Sequence, residues 1–143
     1  MSESLSSDVV FLPLGGCGEI GMNFNLFGHA DQWVAVDCGI TLEQVPGALR
    51  PSVQMPDLSF IAARREQLAG LIVTHAHEDH LGALPYLWEQ LRCPVYATPF
   101  AAAVLRLSLI HISEPTRPER ISYGVFWFKK KRGGGGGGGG GGG

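Results

Sequence analysis

The chain has 143 residues, 45% hydrophobic and 17% charged, with 21 glycines and a formal net charge of −2. That average joins two compositions: residues 1–106 carry five arginines and eleven acidic residues, a net of −6, and residues 107–143 carry six basic and two acidic residues, a net of +4. The acidic part excludes a nucleic-acid grip made by that segment alone, which needs clustered Lys and Arg. No apolar run reaches the ~20 residues of a membrane span, so no membrane partner is expected. Residues 1–8 lack the basic and apolar regions of a secretory signal and are expected to be a flexible N-terminus. Cys17, Cys38 and Cys93 are odd in number and form no CxxC pair. They read as reduced thiols of a cytoplasmic protein.

Val9, Val10, Phe11 and Leu12 form a short apolar run that predicts a buried strand. A glycine-rich turn over residues 15–21 follows, then polar/apolar alternation over 23–27 that predicts a half-buried strand. Trp33, Val34, Ala35 and Val36 predict another, ending on Asp37, Cys38 and Gly39. Pro46, Gly47, Pro51 and Pro56 mark residues 40–56 as a long loop. Asp57 stands as N-cap of a short helix containing Leu58, Phe60, Ile61 and Ala62. Leu71, Ile72, Val73 and Thr74 predict a central strand apolar on both faces. Residues 75–82 read as a loop. Leu84, Leu87, Trp88 and Leu91 have helical spacing, with Pro85 in the first turn. Val95, Tyr96 and Ala97 predict a strand, and Thr98 and Pro99 open a helix through Ala101 to Leu105. Three strands followed by alternating helices and strands define the start of a layered α/β domain, here residues 9–106.

Residues 107–143 do not continue this pattern. The stretch 107–118 resembles, residue for residue, the translated read-through of a sequencing adapter. Residues 121–128 are similar to the adjoining primer, and Lys129, Lys130 and Lys131 precede an unbroken run of eleven glycines. The expectation is a disordered, low-complexity, non-native tail, with the gene's own message stopping near Arg106. A chain that is only a truncated reading of a gene, without function of its own, is one alternative that follows.

The chemistry lies in His75, His77, Asp79 and His80, an HxHxDH arrangement directly after the central strand. Three of the chain's five histidines fall within six residues. First-row metals take neutral imidazole nitrogens and carboxylate oxygens converging from different directions. An extended exit from the strand places His75 and His77 on one side, and the following turn points Asp79 and His80 elsewhere. One loop thereby feeds two adjacent metal positions, and two such ions activate water for attack at phosphorus or a carbonyl. The carboxyl end of a strand is where open α/β sheets collect ligands. Glu78 is expected to face solvent, and His29 to be a surface residue. The glycines of residues 15–21 match neither a dinucleotide fingerprint nor a P-loop. They are expected to let the backbone pass close to the metal loop.

HxHxDH followed by Leu81, Gly82, Ala83, Leu84, Pro85 and Tyr86 resembles the metallo-β-lactamase fold, and within it the β-CASP nucleases. Residues 14–23 (LGGCGEIGMN) and Val36, Asp37, Cys38 and Gly39 are similar to the opening motifs of the bacterial ribonuclease J family. The resemblance covers residues 9–106 and implies the N-terminal part of an αββα sandwich, incomplete here. It implies two zinc ions in the complete enzyme, with manganese or magnesium as substitutes. His75 and His77 hold one ion, and Asp79 and His80 the other. Asp79 is also the candidate catalytic residue, and Asp37 orients the ligand loop from behind. RNA is the implied substrate and a homo-oligomer the implied full-length state. The resemblance gives Cys17 and Cys38 no ligand role, and both are expected to be small buried packing residues. The family's later ligands lie downstream of the resemblance, so this chain by itself is expected to be inactive. A metallo-β-lactamase-fold hydrolase of thioesters or lactams is the other enzymatic alternative.

Overall fold

The alternation of apolar and polar residues shapes the first three strands, β1 (Val10–Gly15), β2 (Phe24–His29) and β3 (Gln32–Val36), into an antiparallel meander. Phe24, Leu26, Trp33 and Ala35 all point to one face and are at most 4% exposed. Ala30 and Asp31 link β2 to β3, both at positive φ, as a two-residue hairpin whose twist matches its strands requires. The computed structural model describes residues 8–112 and 123–125. The expected flexible N-terminus therefore lies outside the described residues, apart from Asp8.

After β3 the chain makes a short antiparallel hairpin, β4 (Thr41–Glu43) with β5 (Ser52–Gln54), inside the segment expected to be loop throughout. The prolines and glycine that suggested a loop fall between the two strands or after them. Helix α1 (Ser59–Ala62) follows, with Leu58 at the N-cap position. Asp57 still takes part in its start, since its Oδ1 accepts the Ser59 N–H at 2.9 Å. Strands β6 (Leu68–Val73), β7 (Val95–Ala97) and β8 (Tyr123–Val125) then extend the sheet in parallel from β3, giving the order β1-β2-β3-β6-β7-β8. Parallel neighbours need crossovers: α1 lies in the one from β3 to β6, α2 (Glu78–Leu81) and α3 (Leu84–Leu91) in the one from β6 to β7, and α4 (Pro99–Ile112) between β7 and β8.

These helices cover one face of the sheet. Leu58, Ile61, Leu81, Leu84, Leu91, Ala101 and Leu105 pack with Phe24, Leu26, Leu71, Val73 and Val95 into one core. Fully buried leucines such as Leu71 and Leu91 contribute roughly 2–3 kcal/mol each. Among the described residues the architecture is one helical layer on a six-stranded mixed sheet, with β4–β5 as a separate two-stranded sheet, as the α/β expectation requires.

Three expectations need correction. The first strand is an edge strand and not a buried one: Val9 is 71% and Phe11 50% exposed, the Phe11 ring resting 5.1 Å from Phe27. The central strand β6 is buried on one face only, because its other face carries Ile72, 42% exposed. The last helix does not stop at Leu105 but continues to Ile112, since nothing breaks it before Pro115. Most of the expected disordered tail, residues 113–122 and 126–143, lies outside the described residues. Among the described residues, no helix is long and apolar enough to cross a membrane.

Candidate metal centre

The site forms where β3 and β6, parallel neighbours, both end. At the end of β3 the backbone of Asp37 turns into the left-handed region, φ 64°, which Asp tolerates better than most residues. Its N–H still bonds the Ile72 carbonyl at 2.8 Å, so the carboxylate is delivered beneath the end of β6. There it is buried, and three donors converge on it. The Thr74 N–H reaches Oδ1 at 2.8 Å, the Thr74 hydroxyl spans both oxygens at 3.0 and 2.9 Å, and His80 Nδ1 reaches Oδ2 at 2.7 Å. The hydroxyl has one proton and gives it to Asp37, so it accepts from His75 Nδ1, 2.9 Å away. Asp37 thus sets His80 directly and His75 through Thr74. Both rings carry their proton on Nδ1 and turn Nε2 outward, as carboxylate-oriented metal ligands do.

His77 is the last extended residue before α2, at φ −77° and ψ 147°, and its carbonyl accepts from the N–H groups of His80 and Leu81. The chain therefore turns between His77 and Glu78. Asp79 and His80, expected on a loop, ride on the first turn of α2. The result is two donor pairs: His75 Nε2 faces His77 Nδ1 at 3.1 Å, and His80 Nε2 faces Asp79 Oδ2 at 3.3 Å. The His75 and His80 rings lie 4.0 Å apart, which makes the pairs neighbours. Among the described residues, no three His, Cys, Asp or Glu side chains share a point that would hold an ion. The turn after His77 separates the two pairs.

The pairs fit a divalent metal. Two ring nitrogens facing each other at 3.1 Å share either the N–H of one ring or a cation. Two donors on one tetrahedral zinc stand about 3.3 Å apart, close to both observed separations. The described cysteines do not compete. Cys38 is fully buried, and burial, with Cys93 and Asp37 adding to it, pushes its thiol far up. Burial raises Cys93 to about 11. Only a thiolate binds metal well, so both remain neutral packing groups. Cys17 departs from expectation: it is exposed, its Sγ 3.6 Å from Asn25 Oδ1.

The backbone of the metal loop is tied to two distant segments. Asp79 O accepts from Asn23 N at 3.0 Å, His80 O from Cys38 N at 2.7 Å and Glu78 O from Ile40 N at 3.0 Å. Gly39 makes this approach possible, since a Cβ there would stand 1.7 Å from the Asp79 carbonyl oxygen. Glu78 and His29 are exposed, as expected, and the His111 side chain lies outside the described residues. Sequence reasoning missed Thr74, Gly39 and Asn23 as parts of the site. Thr74 had a local signal, its position between strand and first histidine, whereas Gly39 and Asn23 were visible only as members of the two opening motifs.

A mixed sheet with helices on one face thus carries imidazole and carboxylate pairs just past the carboxyl end of β6, beside Asp37 at the end of β3. The profile of the Metallo-beta-lactamase superfamily matches residues 20–143, and the chain belongs to that superfamily. Within it, the chain is similar to proteins named Ribonuclease J. The protein of Sinorhizobium meliloti is 52% identical over 104 residues, 68% of this chain and 18% of the relative. That of Mycolicibacterium smegmatis is 43% identical over 97 residues, 65% of this chain and 17% of the relative. That of Helicobacter pylori is 35% identical over 105 residues, 73% of this chain and 15% of the relative. The chain spans less than a fifth of the length of these relatives.

Proposed function

We propose that this chain supplies the metal-binding loop of a ribonuclease J-like hydrolase that cleaves RNA phosphodiester bonds. The observation that carries the proposal is the pair of donor sets, His75 with His77 and His80 with Asp79, at 3.1 and 3.3 Å. His75 and His77 hold one divalent ion and Asp79 and His80 the second, with zinc the expected metal and manganese or magnesium as substitutes. When bound, such ions supply Lewis acidity and an activated nucleophile for hydrolysis. The chain's own residues prepare the place. Asp37 fixes the ring of His80, and the Thr74 hydroxyl fixes that of His75. Asp79, on the first turn of α2, faces the reacting region as the candidate catalytic carboxylate.

RNA as substrate is supported by the relatives' names and by the match of the opening motif. The net charge of −6 over residues 1–106 supplies no grip on a polyanion, so RNA binding falls to residues beyond them. Two protein ligands per ion, where catalytic zinc sites use three, make the chain inactive by itself.

The test is a chimera in which this chain's matching residues replace those of the Sinorhizobium meliloti relative. Metal-dependent cleavage of 5′-monophosphorylated RNA, lost with His77→Ala or Asp79→Ala, is the expected result. A folded chimera that leaves RNA intact but hydrolyses a thioester or lactam would overturn the proposal.

A further inference from the structure

The geometry points to Asn23 as a positioning residue that holds Asp79 in place as the carboxylate of the second ligand pair, an inference that rests on the metal reading above. Asn23 stands immediately before β2, 56 residues from Asp79. The orientation of its amide is fixed by chemistry. Nδ2 lies 2.9 Å from the Asp79 carbonyl oxygen, a pure acceptor, so that atom is the NH2 group. Oδ1 turns to Gly16, where a Cβ would come within 2.1 Å of it. One amide proton goes to the Asp79 carbonyl. The other reaches Asp79 Oδ2 at 3.4 Å, a carboxylate oxygen with lone pairs for both an amide and an ion; His80 Nε2, also 3.4 Å from Nδ2, has a single lone pair, which an ion needs. These are the two atoms of the second donor pair.

The backbone of Asn23 does a different task. Its N–H holds the Asp79 carbonyl at 3.0 Å, and its carbonyl accepts from Gly39 N at 3.1 Å. Both bonds survive replacement of the side chain, so fold and ligand register are separable. The side chain holds the Asp79 carboxylate, and none of its described hydrogen bonds goes to His75 or His77. Its loss therefore loosens one metal position and spares the other. A group that merely stapled the loop would loosen both.

The test uses the full 143-residue chain and cobalt(II) alone, followed by its visible absorption, with far-UV circular dichroism as the check on folding. The unaltered chain is expected to bind two equivalents. Asn23→Ala is expected to weaken one of them about tenfold or more, the usual loss when a residue behind a ligand is removed. The other equivalent, lost with His77→Ala, stays as it was. If Asn23→Ala does not fold, Asn23→Ser replaces it, with a hydroxyl too short to reach Oδ2 and the same loss expected. Equal weakening of both equivalents, or of neither while His80→Ala removes one, would overturn the assignment of Asn23 alone. A chain that binds no cobalt, with His77→Ala and His80→Ala indistinguishable from it, would overturn the metal reading and the assignment with it.

Discussion

Oδ2 of Asp37 lies 2.7 Å from Nδ1 of His80, joining residues 43 apart in sequence through a carboxyl group only 7% exposed. The same group receives the N–H and hydroxyl of Thr74, so one buried side chain both joins the ends of β3 and β6 and aims two imidazoles. Structural and ligand-orienting roles coincide there, and substitutions separate them.

Asp37→Asn keeps the shape and the tolerance of positive φ but offers His80 Nδ1 an amide where it had an acceptor. The expected outcome is a near-native fold with metal affinity reduced ~10–100-fold. Asp37→Ala also leaves the Thr74 N–H unpaired and places a Cβ residue at φ 64° without compensation. A loss of roughly 3 kcal/mol in urea unfolding is expected for it. Equal stability of the two variants would show that the clamp does not support the fold.

Gly39→Ala tests the close approach of the two segments. The added carbon meets backbone, the Asp79 carbonyl, which cannot rotate away. The expected cost is about 3 kcal/mol, the upper part of the usual range for overpacking. It is read as a lowered thermal midpoint together with weakened cobalt binding. Unchanged values for both would mean that α2 sits further from residue 39.

The thiols divide by environment. At pH 8 iodoacetamide should label Cys17 in the folded chain and leave Cys38 and Cys93 unlabelled, all three reacting in denaturant; mass spectrometry counts the adducts. The folded chain holds the Cys93 proton to about 11, whereas an unfolded thiol releases it near 9.0. The unfolded state thus binds fewer protons between those values, and stability should fall as pH rises through that window. Cys38, shifted in the same direction, adds to the fall. A flat profile from pH 8 to 11 would contradict the burial of both.

The isolated chain, supplied with excess zinc or manganese, should give no turnover of 5′-monophosphorylated RNA. Misplacing catalytic groups by about 1 Å costs ~100-fold, and two donors per ion leave each ion free to shift. Metal-dependent cleavage sensitive to His77→Ala would show that the two pairs suffice.

The grouping of the candidate site's residues was legible because its information is local: four possible donors within six residues after an apolar run. Asp37 was legible by position at a strand end, though not the left-handed backbone that delivers it. Asn23 was legible only as the last residue of the LGGCGEIGMN motif, and its role was not, because its partner Asp79 lies 56 residues on. The hairpin β4–β5 was hidden by Pro46, Gly47 and Pro51, which shape the connection and not the strands. The exposed face of β6 was misread because Leu71, Ile72 and Val73 look alike in sequence, while only a covering layer distinguishes them. The length of α4 was hidden by a change of composition at residue 107 that carries no helix breaker.

The ties from Asn23 to Asp79 and from Asp37 to His80 close segments of 56 and 43 residues. Closures of this span come late in folding, after local strands and helices have formed, because their entropy is recovered only when the sheet is assembled. The donor pairs therefore take shape on the native side of the folding barrier. Bound metal should then slow unfolding and leave refolding almost unchanged, since stabilisation absent from the transition state acts on the unfolding rate. On the proposed metal reading the ion would be a latch and not a nucleus, prolonging the life of a fold that the chain first has to reach unaided.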